Sequence, residues 1–333
     1  MHLSILDVLP VLSGSSATDA IDRAVPLARL ADRRGFERVW YAEHHGMAGI
    51  ASSSPELMIA HVAPKTERVR VGAGGVMLPN HTPLQVVERY RTLEALHPGR
   101  IDLGIGRAAG TDPLTARALR SVSGDRVSHL IAELLSFTDG SFPDDHPFRN
   151  VRVTPENVDL PPIWMLGSSG GSARLAGDIG AGYAFAGHFS ATPAAPAIEA
   201  YRSAFEPSEA FPEPRVMLAL SVICADTQSE ARELSSSIEI LFQRLRTGET
   251  GPVPSPAEAR EAGWAPDVRT HGPMADLLIA GTPGDVRGRI VDAAAKAGAE
   301  EVMVMTIVHD AEARFRSYEL LADAFDLESR NVT

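Results

Sequence analysis

A chain of 333 residues with 31 Lys and Arg against 43 Asp and Glu has a formal charge of -12, which excludes the clustered basic surface that nucleic acid or an anionic membrane requires. Its 44% hydrophobic content is enough for a sizeable core, and the one cysteine, Cys224, excludes an internal disulfide and a thiolate metal cluster. There is no basic leader followed by an apolar segment and no uninterrupted apolar span of about 18 residues, so the expectation is a cytoplasmic protein without membrane contact.

The chain enters a strand pattern at once. Residues 3–9 are apolar and closed by Pro10, and serines at 13–16 lead through Thr18 into an amphipathic helix over 20–34. Gly35 caps that helix, and strand two, Val39-Trp40-Tyr41-Ala42, stops abruptly in Glu43-His44-His45-Gly46. Serines at 52–54 and Pro55 open helix two over 56–63, followed by strand three over 69–78, helix three over 83–96 and strand four over 100–107. A helix follows near 125–137, and Val151-Arg152-Val153 reads as a small hairpin strand. Strands five, six and seven fall at 163–166, 183–186 and 215–225, each followed by a helix, at 172–178, 193–205 and 229–246. Cys224, inside strand seven, reads as a small buried hydrophobe. The Pro- and Gly-rich stretch 248–272 resists regular structure and reads as a lid or an irregular crossover, expected to be mobile. A helix over 283–296, strand eight over 301–308 and a last helix over 311–325 complete the chain.

Eight strand-like runs, each followed by a helix-like one, predict the α/β class and a (β/α)8 TIM barrel. One domain would span 1–333, with insertions after strands four and seven at about 108–160 and 248–280. The carboxyl ends of the strands form the functional face of such a barrel, which puts Glu43, His44 and His45 where catalytic groups sit. Neighbouring strand residues face opposite sides, so His44 and His45 do not share a pocket, and a two-histidine metal site is disfavoured. No other histidine pair has metal-ligand spacing, and His81, His97, His129, His146, His188 and His271 are assigned to structure or solvent.

Three glycine motifs bear on ligands. Gly104-Ile105-Gly106-Arg107-Ala108-Ala109-Gly110 has one residue too many for a dinucleotide fingerprint, which leaves Arg107 at a strand end as an anion contact. Gly167-Ser168-Ser169-Gly170-Gly171 follows a strand and opens a helix, a natural anion cradle. The same residues fit G-x-S-x-G with Asp285 and His309 downstream, so a serine hydrolase using Ser169 is the competing reaction class, although no oxyanion motif precedes it. Gly72-Ala73-Gly74-Gly75 reads either as a bulge on which a flat ring rests or as a crowded barrel interior, and the two are compatible.

Taken together, residues 36–45 ending in Glu-His-His, 71–79 with Thr82-Pro83, Gly99-Arg100 through Arg107, Arg126 and the strand-five turn resemble the bacterial luciferase-like flavin monooxygenase family, over essentially the whole chain. The likeness is to the FMN-type oxidoreductases rather than to the light-emitting enzymes. It implies non-covalent reduced FMN, O2 and a small organic substrate. His44 matches the family's catalytic histidine, and Arg107, Arg126, Ser168, Ser169 and Gly170 match its phosphate-binding residues. Gly74 and Gly75 match a bulge with a cis peptide beneath the flavin ring. The resemblance also implies a separate flavin reductase and a homodimer through helices two and three. Gly106 and Ser168 depart from luciferase, which has a cysteine and an acid at these places, so light emission is not expected. Two alternatives remain open: hydride transfer with the deazaflavin F420 on the same barrel, and a non-catalytic flavin-binding protein.

Overall fold

The computed structural model describes residues 1–267 and 277–328. Strand β1 (His2–Asp7) is followed by β2 (Arg38–Tyr41), β3 (Arg70–Ala73), β4 (Val76–Met77), β5 (Ile101–Gly106), β6 (Ile163–Gly167), β7 (Gly182–Phe185), β8 (Val216–Cys224), β9 (Leu278–Gly281) and β10 (Glu301–Met305). All pair in parallel, and β10 bonds to both β8 and β1, which closes a barrel of eight strands with β4 and β9 as extras. The predicted (β/α)8 architecture is therefore present.

Strand alternation divides the apolar residues into two layers. Leu3, Ile5, Val39, Tyr41, Val71 and Leu103 belong to the cluster between strands and helices. Leu6, Trp40, Ala42, Trp164, Ala184, Met217 and Met303 belong to the cluster inside the barrel. The amino-terminal end of the barrel is plugged by charge. Arg38 donates to Glu301 at 2.7 Å and to Asp102 at 2.8 Å, and Asp102 also accepts from the indole of Trp40 at 3.0 Å. A cavity of about 360 Å³ lies over these residues, lined also by Arg70, Trp164 and Arg215.

Several predicted elements differ in detail. The first helix begins earlier, because Ser16 and Asp19 make a capping box, and it divides at Arg23 into Ala17–Asp22 and Ala24–Arg34. Predicted strand three is split into β3 and β4 around a cis peptide between Gly74 and Gly75. Residues 151–153 form no strand; Val153 instead buries its side chain against the core. β9 lies in the stretch assigned to an insertion. It exists because β8 is nine residues long and pairs with β10 only through Ser221, so β9 takes the remaining edge from Ser221 to Cys224.

The lid expectation is also revised. Within 248–267, Pro256–Glu261 is a helix with a capping box between Ser255 and Glu258. Val253 N–H donates to Val11 O and Ser13 N–H donates to Val253 O, both at 2.8 Å, Ser237 donates to Pro254 O at 2.7 Å, and Trp264 is buried with its indole on Glu239 at 3.1 Å. Proline content here marks a tethered crossover and not a free loop, while residues 268–272 of the predicted lid lie outside the described residues. Among the described residues, no helix is long and apolar enough to cross a membrane.

Candidate active site

β2 ends at Tyr41, and the chain that leaves it is fastened by one carboxylate. Glu43 is buried and accepts from Met77 N–H at 2.8 Å, Asn80 Nδ2 at 3.0 Å, His45 Nε2 at 2.9 Å and His81 Nε2 at 3.0 Å. Burial alone would raise this carboxyl, but the bonds from His81, His45 and Asn80 outweigh it and hold Glu43 below its ordinary value. An ionised Glu43 thereby ties the exit of β2 to β4 and to the loop after it. His81 and Asn80 are the residues that sequence reasoning passed over. The signal available was indirect: a strand that ends in a buried acid needs donors, and those donors lie 37 and 38 residues away.

His44 lies three residues beyond the end of β2 and is partly buried. Its N–H donates to Ser52 O at 2.9 Å, and its ring Nδ1–H donates to Gly110 O at 3.3 Å. The second bond sets the tautomer, leaving Nε2 as the free ring nitrogen. Burial lowers the affinity of His44 for a proton, and the Gly110 bond and Glu43 recover only part of it, so the ring sits below its usual value and is neutral at neutral pH.

The loop after β5 supplies both Gly110 and Arg107, so His44 and Arg107 are joined through four residues of chain. Arg107 Nη2 donates to Ser169 Oγ at 3.3 Å. Ser169 caps the helix Gly170–Asp178 without using its own side chain as the cap, and its carbonyl is held by Ser172 Oγ at 2.8 Å. The first N–H groups of that helix have no intrahelical acceptor. A Cβ placed on Gly170 would meet nothing within 4 Å, and one on Gly171 would come 3.9 Å from the Arg107 guanidinium, so this corner is open and faced by donors. Ser168 is half-buried and in the inward phase of Trp164 and Leu166. Arg126 ends the short turn Gly124–Arg126, is exposed, and bears on Glu133 of the following helix.

The glycines between β3 and β4 and on β5 sit where side chains would collide. A Cβ on Gly74 would lie 2.8 Å from Leu6 Cδ1, on Gly75 2.7 Å from Gly104 O, and on Gly104 2.0 Å from Ala73 O. Crowding inside the barrel is thus present at these positions. The hydrolase constellation is not assembled: Asp285 accepts from Thr282 at 2.8 Å, His309 Nε2–H donates to Ser13 O at 3.0 Å, and Ser169 faces Arg107.

Residues 1–301 match the family model described as luciferase-like monooxygenase. A luciferase-like monooxygenase of Escherichia coli strain K12 is 40% identical over 324 residues, 96% of either chain. The N-acetyl-S-alkylcysteine monooxygenase of Bacillus subtilis strain 168 is 32% identical over 333 residues, covering 97% of this chain and 98% of its own. The crystal structure of apo-MsnO8 superimposes with a TM-score of 0.90 at 36% identity, over 99% of this chain and 98% of that one. More distant is the oxygenase component of the flavin-dependent trigonelline monooxygenase of Acinetobacter baylyi, 25% identical over 66% of this chain and 64% of its own. The oxygenating constituent of 3,6-diketocamphane monooxygenase from Pseudomonas putida, solved with FMN, shares the fold at a TM-score of 0.72 and 22% identity over 97% of this chain and 96% of that one. With a family match over most of its length and full-length relatives well above 30% identity, the chain belongs to the luciferase-like monooxygenase family.

Proposed function

We propose that this protein uses reduced FMN and O2 to oxygenate a small organic substrate, with the flavin supplied reduced by a separate reductase. The observation that carries the reading is the open, donor-lined corner between Arg107 and the helix that begins at Ser169 and Gly170, one loop away from the neutral ring of His44. A phosphate fits that corner: it needs N–H donors and a guanidinium, and the turn has both with no side chain in the way. The relatives whose names include a flavin or FMN, and one described as an oxygenase component, point the same way.

Reduced flavin, when bound, supplies the electrons that activate O2. The chain's own residues have other tasks. Arg107, Ser168, Ser169 and Gly170 hold the phosphate, and Gly74 and Gly75 form the floor under the ring. His44 holds or accepts a proton at Nε2, and Gly110 fixes its tautomer. Glu43 fastens the strand end that carries His44. The tethered 252–264 crossover covers one side of the mouth and limits water. The reading includes a homodimer through the helices Pro55–Val62 and Pro83–Leu96, where Leu57 and Leu96 are 67% and 61% exposed.

The test mixes the purified protein separately with FMN, reduced FMN and F420 and measures which binds. Binding of reduced FMN supports the reading, and binding of F420 alone replaces it with hydride transfer. His44→Ala should slow substrate oxidation by about a hundredfold under saturating reduced FMN. An unchanged rate would remove His44 from the chemistry.

A further inference from the structure

The amino-terminal end of a (β/α)8 barrel serves stability, and the ion-paired cluster there fits that role. Its carboxylates are fully engaged: Asp102 accepts from Arg38, Arg70 and Trp40, and Glu301 accepts from Arg38 through both oxygens and from Ser4. The cavity of about 360 Å³ over the cluster has the size of a small-molecule site, and stability alone does not account for the groups left open in it.

Two of those groups are donors. Trp164 is 4% exposed, and its indole N–H has no acceptor among the described residues. A Cβ on Gly182 would lie 2.6 Å from Trp164 Cε3, so the benzo edge of the ring is turned to β7 and the pyrrole edge, with its N–H, is turned away from that strand. The nitrogen is not sealed from solvent, and the ring lines the cavity. Arg215 is the second donor. Its backbone is fixed at the start of β8, where its N–H donates to Tyr201 Oη and its carbonyl accepts from Tyr183 N–H, both at 3.0 Å. Its guanidinium lines the cavity, is exposed, and has no partner among the described residues.

Charge and shape narrow the ligand. Arg38 and Arg70 balance Asp102 and Glu301 one for one, and Glu37, the remaining acid of the lining, is answered by His2 at 3.8 Å. Arg215 is left as free positive charge. The apolar wall is Phe211, 7% exposed and edge-on to the Trp164 ring at 5.3 Å. That wall is built into the fold: Ser208 N–H donates to Phe211 O at 3.0 Å, Phe211 N–H donates to Ser208 Oγ at 3.1 Å, and Ser208 Oγ–H donates to Gly180 O at 2.7 Å. A cation placed here would meet Arg215 and no open carboxylate, whereas an anion gains a charge-assisted bond and a flat apolar body gains an aromatic surface.

We infer that this cavity is a second ligand site, at the opposite end of the barrel from the flavin corner, for a small aromatic monocarboxylate. The carboxylate pairs with Arg215, the Trp164 N–H supplies a further donor in the same cavity, and the ring packs on the Phe211 wall. Nothing in this rests on the flavin reading. The test uses the full chain with nitrogen-labelled tryptophan, the Trp164 indole resonance being assigned by its loss in Trp164→Phe. Benzoate, benzyl alcohol and benzylamine are titrated near neutral pH. The expected result is a saturable shift of the Trp164 indole with benzoate, at least tenfold weaker affinity for the other two probes, and about tenfold weaker benzoate affinity in Arg215→Ala and Arg215→Gln, partly restored in Arg215→Lys. Because benzoate could also enter the flavin corner, the titration is repeated in Arg107→Ala, where the Trp164 response should be unchanged. No saturable shift with benzoate, an equal response to either other probe, undiminished affinity in both Arg215→Ala and Arg215→Gln, or loss of the response in Arg107→Ala overturns the inference.

Discussion

Glu43 shows how much a single side chain organises. It accepts bonds from β4, from the following loop and from its own neighbour His45, so removing its carboxylate frees donors from three segments at once. Glu43→Ala should destabilise the fold by about 3 kcal/mol in urea unfolding, the usual cost of breaking a buried charged pair. Acid should act through the same region. His44 and His188 both sit below the ordinary 6.5, so the stability they contribute is present above that pH and is lost as pH falls beneath it. Glu43 sits below 4.5, so its contribution persists to lower pH and is lost last. A urea midpoint that falls in two stages on acidification is the expected profile, with the first stage reduced in His44→Asn and the second in Glu43→Gln. A midpoint independent of pH between 6.5 and 4.5 would contradict it. Cys224 provides a simpler check. Burial, helped by Asp226, pushes its thiol up to about 12, so a thiol reagent near neutral pH should label it only after denaturation.

At the scale of elements, glycines act in opposite senses according to what surrounds them. Gly104 lies on β5, where a Cβ would strike Ala73 O at 2.0 Å; Gly288 lies in the helix Pro283–Ala297 with nothing within 4 Å. Gly104→Ala should therefore cost about 2 kcal/mol or more by overpacking, and Gly288→Ala should gain about 1 kcal/mol by removing backbone freedom from the unfolded chain. The two thermal midpoints should move in opposite directions. Strand and helix order was readable from sequence because each barrel strand is a short apolar run bounded by turn residues, and each helix has its own stripe. β9 was not readable, since Leu278 to Gly281 forms a strand only because β8 outlasts β10. Of the two readings open for 248–272, lid or crossover, composition could not choose: Pro and Gly describe local conformation, whereas Val253 and Trp264 are fixed by distant partners at Val11 and Glu239. Trp264→Ala should cost about 3 kcal/mol and expose this segment to protease. Wild-type protein should resist cleavage between 252 and 264.

Over the whole molecule, an ion-paired cluster lies at one end of the barrel and the candidate site at the other. Arg38, Asp102 and Glu301 form an ion-paired cluster at the amino-terminal end, where the two carboxylates hold Arg38 well above its ordinary range despite its burial. The opposite end gathers His44, the glycines at 74 and 75, Arg107 and the turn at 168–170 onto neighbouring strand ends, as their order in sequence implied. Arg126 stands on the 108–160 insertion, exposed at the end of a short turn, where strand order says nothing of its distance from the corner. The central claim is that the corner between Arg107 and Ser169 is a phosphate site for a flavin. It is tested most directly by titrating FMN and riboflavin, which differ only in the phosphate, against wild-type protein and Arg107→Ala. The account predicts that the wild type prefers FMN by about ten- to a hundredfold and that Arg107→Ala loses most of the preference while keeping its affinity for riboflavin. Equal affinity for the two flavins in the wild type, or an undiminished preference in Arg107→Ala, would contradict it.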